Sequence, residues 1–385
     1  MNFDLVIDRR ASDSVKWHYF PEDVLPMWVA DMDFACPPAV MEALHKRVEH
    51  GIFGYACAPD GLKELVQKRL QTLYEWKTEP DWISYVPGIV TGFNLAVRAF
   101  CEPGDGVIFQ VPAYPPFFGA GPNSDLRTVP NPMIENPDGS YSLDFDRLEA
   151  QIQEEKVKAF LLCNPHNPSG QVFSREELLR LGEICLRHGV YIISDEIHCD
   201  LLFDGAKHIP IASLSEELGK VTATFIAPSK TYNIAGLHAS VAIIPNPELR
   251  EKYTKVRAGT VSDPNMLALV AAKAAYEFGD PWLQECLAYL QANRDHLYET
   301  LPQTLPGVKM HKAPATFLAW LDCRGTGLTE PQKFFLEKAK VGLNDGTAFG
   351  ADYKHFVRLN FATPRSVLDE GLQLMGDALL MGTPC

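Results

Sequence analysis

Short apolar runs recur between residues 104 and 245: DGVIFQVPAY, ending at Tyr114, then VKAFLLCN at 157–164, GVYIISD at 189–195, residues 221–227, and HASVAIIP at 238–245. Runs of this length predict buried strands. Residues 174–188 predict a helix between the second and third of them. Elsewhere the period is helical. Leu62, Leu65, Val66, Leu70 and Leu73 predict a helix over 62–76, and similar spacing marks 39–49 and about 91–100. A long helix runs from 265 to about 301, with a break at Gly279 and Pro281. The last part of the chain alternates short elements: strands in KMHKAPATFLAWLD, a helix over 331–340, a strand in KHFVRLNFA and a final helix over 367–380. Residues 1–40 carry Pro21, Pro26, Pro37 and Pro38, which block long helices and predict a segment lying extended over the rest. No internal repeat is present.

Buried strands punctuated by helices imply a mostly parallel, doubly wound α/β sheet. In such sheets ligands collect beyond the carboxyl ends of the strands. Tyr114, residues 164–167, residues 195–198, and Ser229 with Lys230 all lie just past predicted strand ends. Lys230 is the first charged group after a buried strand, where desolvation lowers an amine toward neutrality and makes it nucleophilic. A plain surface lysine is the other reading of that stretch taken alone. Gly88 opens a turn before a helix whose first N–H groups attract anions, so Gly88, Ile89 and Val90 are candidates for a phosphate cup.

Composition adds bounds. The 385 residues suit two domains sharing an interface, and 46% hydrophobic with 22% charged residues is ordinary for a globular protein. A formal net charge of −14 argues against nucleic acid or an anionic membrane as partner. The opening MNFDLVIDRR lacks the form of a secretion signal, and no apolar run is long enough to cross a bilayer. Nine scattered cysteines without a CxxC pair suggest reduced thiols in a cytoplasmic protein and no metal site.

Three segments, LLCNPHNPSG at 161–170, YIISDEIH at 191–198 and SKTYNIAGLHAS at 229–240, resemble the signatures of fold-type I pyridoxal-phosphate (PLP) enzymes, the aspartate aminotransferase superfamily. LPMWVADMDF at 25–34 resembles the cystathionine β-lyase-like carbon–sulfur lyases within it. The resemblance runs from about residue 20 to the C-terminus. It implies a large domain with a mostly parallel seven-stranded sheet between helices and a smaller α/β C-terminal domain. The expected division is an arm at 1–40, a large PLP-binding domain at 41–275 and a small domain at 276–385.

The resemblance also implies roles. Lys230 would carry PLP as a Schiff base and then remove the substrate Cα proton. Asp195 would pair with the pyridine nitrogen, unless it merely caps a helix. Asn167 and His198 would hydrogen-bond the ring 3′-oxygen, with a satisfied core histidine the competing reading of His198. Tyr114 would stack on the ring, or simply pack. Arg358 would clamp the substrate α-carboxylate, which a guanidinium grips with two parallel bonds. The same arginine could instead form an ordinary ion pair. Ala30, with Val29, would lie close to the substrate. Gly88, Ile89, Val90 and Ser229 would hold the phosphate, helped by Tyr55 from the neighbouring subunit, so that the active site sits at a homodimer interface. His238 stands where many aminotransferases carry a phosphate-gripping arginine. The implied reaction is β-elimination from L-cystathionine or other S-substituted L-cysteines. An aminotransferase, or a PLP-binding regulator with weak turnover, are the alternatives.

Overall fold

The computed structural model describes residues 1–382. Seven strands form the principal sheet: β1 (Ile83–Val86), β2 (Gly106–Val111), β3 (Arg127–Pro132), β4 (Val157–Cys163), β5 (Tyr191–Asp195), β6 (Thr222–Ile226) and β7 (Ser240–Ile243). Their spatial order is β1-β7-β6-β5-β4-β2-β3. The pairs from β3 through β6 are parallel, while β7 is antiparallel to both β6 and β1. Only β7 therefore runs backwards, and its N-terminal end shares an edge with the carboxyl ends of the others. β2, β6 and β7 are buried at every position. This follows from their mostly apolar sequence, with only Gln110, Thr222, Thr224 and Ser240 as polar members, and from helices on both faces.

Two strands lie outside the five read from apolar runs. β1 has only four residues, and β3 carries two prolines, which a sheet tolerates at its edge. Both are edge strands. The helix anticipated from residue 91 begins at Ile89, directly after Gly88, and runs to Phe100. It lies close on the sheet: a Cβ at Gly92 would fall 2.6 Å from the ring of Phe225.

The helix Met266–Phe278 ends at Gly279, and the 25-residue helix Asp280–Thr304 leads to a second sheet. That antiparallel sheet has the order β8 (Lys309–Met310), β9 (Leu318–Asp322), β11 (Phe356–Asn360), β10 (Asn344–Asp345). The helix anticipated over 331–340 is shorter, with Pro331–Phe334 α-helical and Phe335–Ala339 widened into a π-turn. The N-terminal arm holds one short helix, Val15–His18, and a two-residue strand, Leu25–Pro26, paired in parallel with Val341–Gly342. Its apolar side chains, among them Met27, Met32 and Phe34, join the core.

Candidate active site

Each carboxyl end of β2, β4, β5 and β6 delivers one or two polar side chains to the same edge of the sheet. Lys230 sits in the four-residue helix Pro228–Thr231, which begins at a proline two residues after β6. Asp195 ends β5, and His198 follows it by three residues. Asn167 stands in the buried loop after β4, and Tyr114 follows β2. With Arg358 from β11 and Val29 and Ala30 from the arm, these residues line a cavity of about 140 Å³, which the helix Ile89–Phe100 closes with Ile89 and Val90. Larger hollows of about 720 and 580 Å³ lie elsewhere, but neither takes Tyr114, Asn167, Asp195 or Lys230 into its lining.

Electrostatics in this cavity are unusual. Burial pushes the Lys230 ammonium down to about 8, with Asp31 and Asp195 opposing that shift and Arg358 adding to it. Its Nζ donates to the Ala30 carbonyl. Burial pushes Asp195 up to about 7, and the charge of Glu196 adds to this. A hydrogen bond from Ile197 N at 3.1 Å and the proximity of Lys230 oppose it. His198 is pushed down to about 3 by burial and by the two nearby cations, so its imidazole is neutral. Among the described residues its buried Nδ1 has no partner. Tyr114 is held above its ordinary value by burial and by Asp195.

Arg358 is the most informative of the set. Burial lowers it to about 10. It donates to Asn167 Oδ1 at 2.9 Å, Asn344 Oδ1 at 2.6 Å and the Trp28 carbonyl at 3.1 Å, while Nε has no partner among the described residues. Among the described residues no carboxylate forms an ion pair with it, so the ordinary ion pair that would explain it structurally is not made. A buried cation surrounded only by neutral acceptors is poised for an anion.

These residues fit pyridoxal phosphate on grounds internal to the structure. A buried amine of lowered basicity suits its aldehyde, and a buried carboxylate suits its pyridine nitrogen. The unpartnered His198 Nδ1 can serve the ring oxygen. The helix Ile89–Phe100 has no side-chain cap at its start, which leaves first-turn N–H donors for phosphate.

Not every anticipated residue reaches the cavity. Gly88, at φ 102°, shapes the helix start without lining the cavity. Ser229 is buried next to Lys230 and also lies outside the lining. Tyr55 is fully exposed in a loop without regular structure and does not approach the cavity of its own chain. His238 is exposed in a left-handed conformation, with Nδ1 3.9 Å from where a Gly88 Cβ would stand. Cys163, Asn344 and the Trp28 carbonyl were not anticipated. Asn344 faces Arg358 across neighbouring strands, a pairing with no local sequence signal.

The sequence profile described as aminotransferase class I and II matches residues 22–374. This chain belongs to that family. It is 44% identical over 387 residues to the cystathionine beta-lyase PatB of Bacillus subtilis, covering 98% of this chain and 100% of that one. The crystal structure of OvoB superposes with a TM-score of 0.95 at 43% identity over the whole of both chains. The PLP-bound C-S lyase from Staphylococcus hominis gives 0.94 at 34% identity, again over both whole chains. The family member described here is accordingly a fold-type I enzyme that uses pyridoxal phosphate.

Proposed function

We propose that this enzyme is a carbon–sulfur β-lyase that cleaves L-cystathionine or other S-substituted L-cysteines to a thiol (homocysteine from cystathionine), pyruvate and ammonia. The observation carrying elimination over amino transfer is the end-to-end similarity to a cystathionine β-lyase at 44% identity. The geometry supports the shared early steps. Arg358 takes the substrate carboxylate in place of its neutral acceptors. Lys230 would hold the cofactor, and its free amine would remove the substrate Cα proton. It is suited to this because burial holds much of it neutral near pH 8. Bound pyridoxal phosphate supplies an electron sink for the charge left at Cα. Asp195 keeps a proton on the ring nitrogen, Tyr114 covers the ring face, and Asn167 with His198 serves the ring oxygen. Ile89 and Val90, with Gly88 shaping their turn and Ser229 beside Lys230, hold the phosphate, and Ala30 bounds the substrate.

We read the chain as an arm (1–40), a PLP-binding domain (41–275) and a small domain (276–385), working as a cytoplasmic homodimer. The exposed side chains of Ile52, Phe53 and Tyr55 support the dimer, with Tyr55 reaching the partner's phosphate. The test is pyruvate release from L-cystathionine by the PLP-loaded enzyme with no keto acid added. Sustained turnover is expected. Amination of an added keto acid without pyruvate would instead make the protein an aminotransferase.

A further inference from the structure

The arm passes the cavity as irregular chain; backbone bonds hold it at either end, Met27 N to Gly342 O at 2.8 Å and Asp33 N to Ala362 O at 2.9 Å, and between them its position is set by side chains from other elements. Asn360 is the last residue of β11, fully buried, two positions after Arg358 and hence on the same face of the strand. Its amide nitrogen donates to the carbonyls of Val29 at 2.7 Å and Asp31 at 2.6 Å. Its side-chain oxygen accepts from Ala362 N at 2.8 Å, and its backbone N–H donates to Met27 O at 2.9 Å. The carboxamide thus grips the carbonyls on either side of Ala30, whose own carbonyl accepts from Lys230 Nζ. From the turn after the helix Pro228–Thr231, Asn233 accepts from Met32 N at 2.9 Å and donates to Met32 O at 3.0 Å and Phe34 O at 2.7 Å.

We infer that Asn360 is a positioning residue for the elimination, holding the Ala30 carbonyl against the Lys230 amine and so directing its lone pair. This rests on the reading of Lys230 as the base. An amine whose one N–H is committed to a fixed acceptor cannot rotate freely, and a base held in one orientation transfers a proton faster than a free one. The chemistry of the site explains why the residue is asparagine. Both N–H groups and the carbonyl are used, and an apolar side chain of the same size would take this donor from two arm carbonyls, leaving Val29 O only the Asp31 N–H at 2.9 Å and Asp31 O only the Lys16 Nζ at 3.4 Å. The second bond also holds Asp31, whose carboxylate pairs with Arg9 at 3.0 Å and whose charge acts on Lys230.

Asn293 provides a matched control. It is equally buried and donates to two backbone carbonyls, Phe361 O at 3.0 Å and Thr363 O at 2.8 Å, but makes no bond to the arm. The experiment compares PLP-loaded parent, Asn360→Ala and Asn293→Ala. It measures kcat and KM for L-cystathionine, the pH titration of the lysine-linked cofactor absorption, and amide hydrogen exchange over residues 27–34. Asn360→Ala is expected to lower kcat at least tenfold with a smaller change in KM. It should also displace the spectral titration and speed exchange in the arm. Asn293→Ala is expected to leave all three at parental values. Should Asn360→Ala fail to fold, Asn233→Gly releases the same segment from the other side, because glycine keeps the left-handed backbone at φ 54°. Parental kcat and titration in the arm-releasing variant, or an equal loss in Asn293→Ala, overturns the inference. Absence of pyruvate from the parent itself would strike the proposed reaction instead, and the arm's hold on Lys230 would still be read from titration and exchange.

Discussion

Arg358 donates through Nη1 to the side-chain oxygen of Asn167 at 2.9 Å, joining residues 191 positions apart in the chain. The residue proposed for the substrate carboxylate and one proposed for the cofactor ring are thus one hydrogen-bonded unit. Asn344 and the Trp28 carbonyl complete the ring of acceptors. A lysine at 358 could neither serve these acceptors in their present directions nor grip a carboxylate with two parallel bonds. Charge-assisted hydrogen bonds contribute about 1.5–3 kcal/mol. Arg358→Lys is therefore expected to raise KM for L-cystathionine by roughly 10- to 100-fold. An unchanged KM in steady-state assays would remove Arg358 from carboxylate binding.

Lys230→Ala deletes both the covalent attachment point and the proposed base. Turnover should fall to background, and the visible absorption of lysine-bound cofactor should disappear. The fold should survive, because the backbone at Lys230 belongs to a helix begun by Pro228 and flanked by buried Ser229 and Thr231. Retained turnover in a well-folded Lys230→Ala protein would defeat the assignment.

Gly92→Ala tests how closely the helix Ile89–Phe100 lies on β6. The new methyl would meet Phe225 Cε1 at 2.6 Å and Cδ1 at 2.7 Å, and Phe225 is fully buried with no room to turn aside. Replacing a helical glycine by alanine favours the helix by about 1 kcal/mol, but overpacking a core costs about 1–3 kcal/mol. Overpacking wins. The thermal midpoint is expected to fall by a few degrees, and PLP retention on dialysis to weaken as Ile89 and Val90 shift. A stabilised variant would mean that the close contact relaxes without strain.

What the sequence made legible follows physical lines. Mostly apolar runs announced β2, β4, β5, β6 and β7, because strands covered on both faces need a predominance of apolar residues. Short, proline-bearing edge strands such as β3 lack that demand and left no comparable signal. Tyr114, Asn167, Asp195, His198 and Lys230 could be placed beyond strand ends from sequence alone, and the structure gathers them around one cavity. The arm's carbonyls at Trp28 and Ala30 were invisible as contacts, since a backbone oxygen has no residue signature. Asn233, Asn344 and Asn360 were likewise unreadable, as their partners lie far off in the chain.

The opposed displacements of Asp195 and Lys230 give the cofactor-free protein a defined pH dependence. Asp195 rises from its ordinary 3.8 to about 7. Between those values the folded state keeps a proton that the unfolded chain has lost, so this residue's contribution falls as pH rises and is fully unfavourable above about 7. Lys230 falls from 10.5 to about 8. Its contribution is fully unfavourable below about 8 and is relieved as pH climbs toward 10.5, where the unfolded amine also loses its proton. Both penalties therefore coincide near pH 7–8, the range in which the site needs one carboxylate and one accessible free amine. At about 1.4 kcal/mol per pH unit, the Asp195 penalty alone is on the order of 4 kcal/mol. Urea unfolding of cofactor-free Asp195→Asn should show it more stable than the parent at pH 8, with the advantage shrinking steadily toward pH 4. Lys230→Met should show its advantage at pH 7 and lose it toward pH 10. A difference that stays flat with pH in either comparison would show that the folded protein does not hold that group away from its ordinary ionisation.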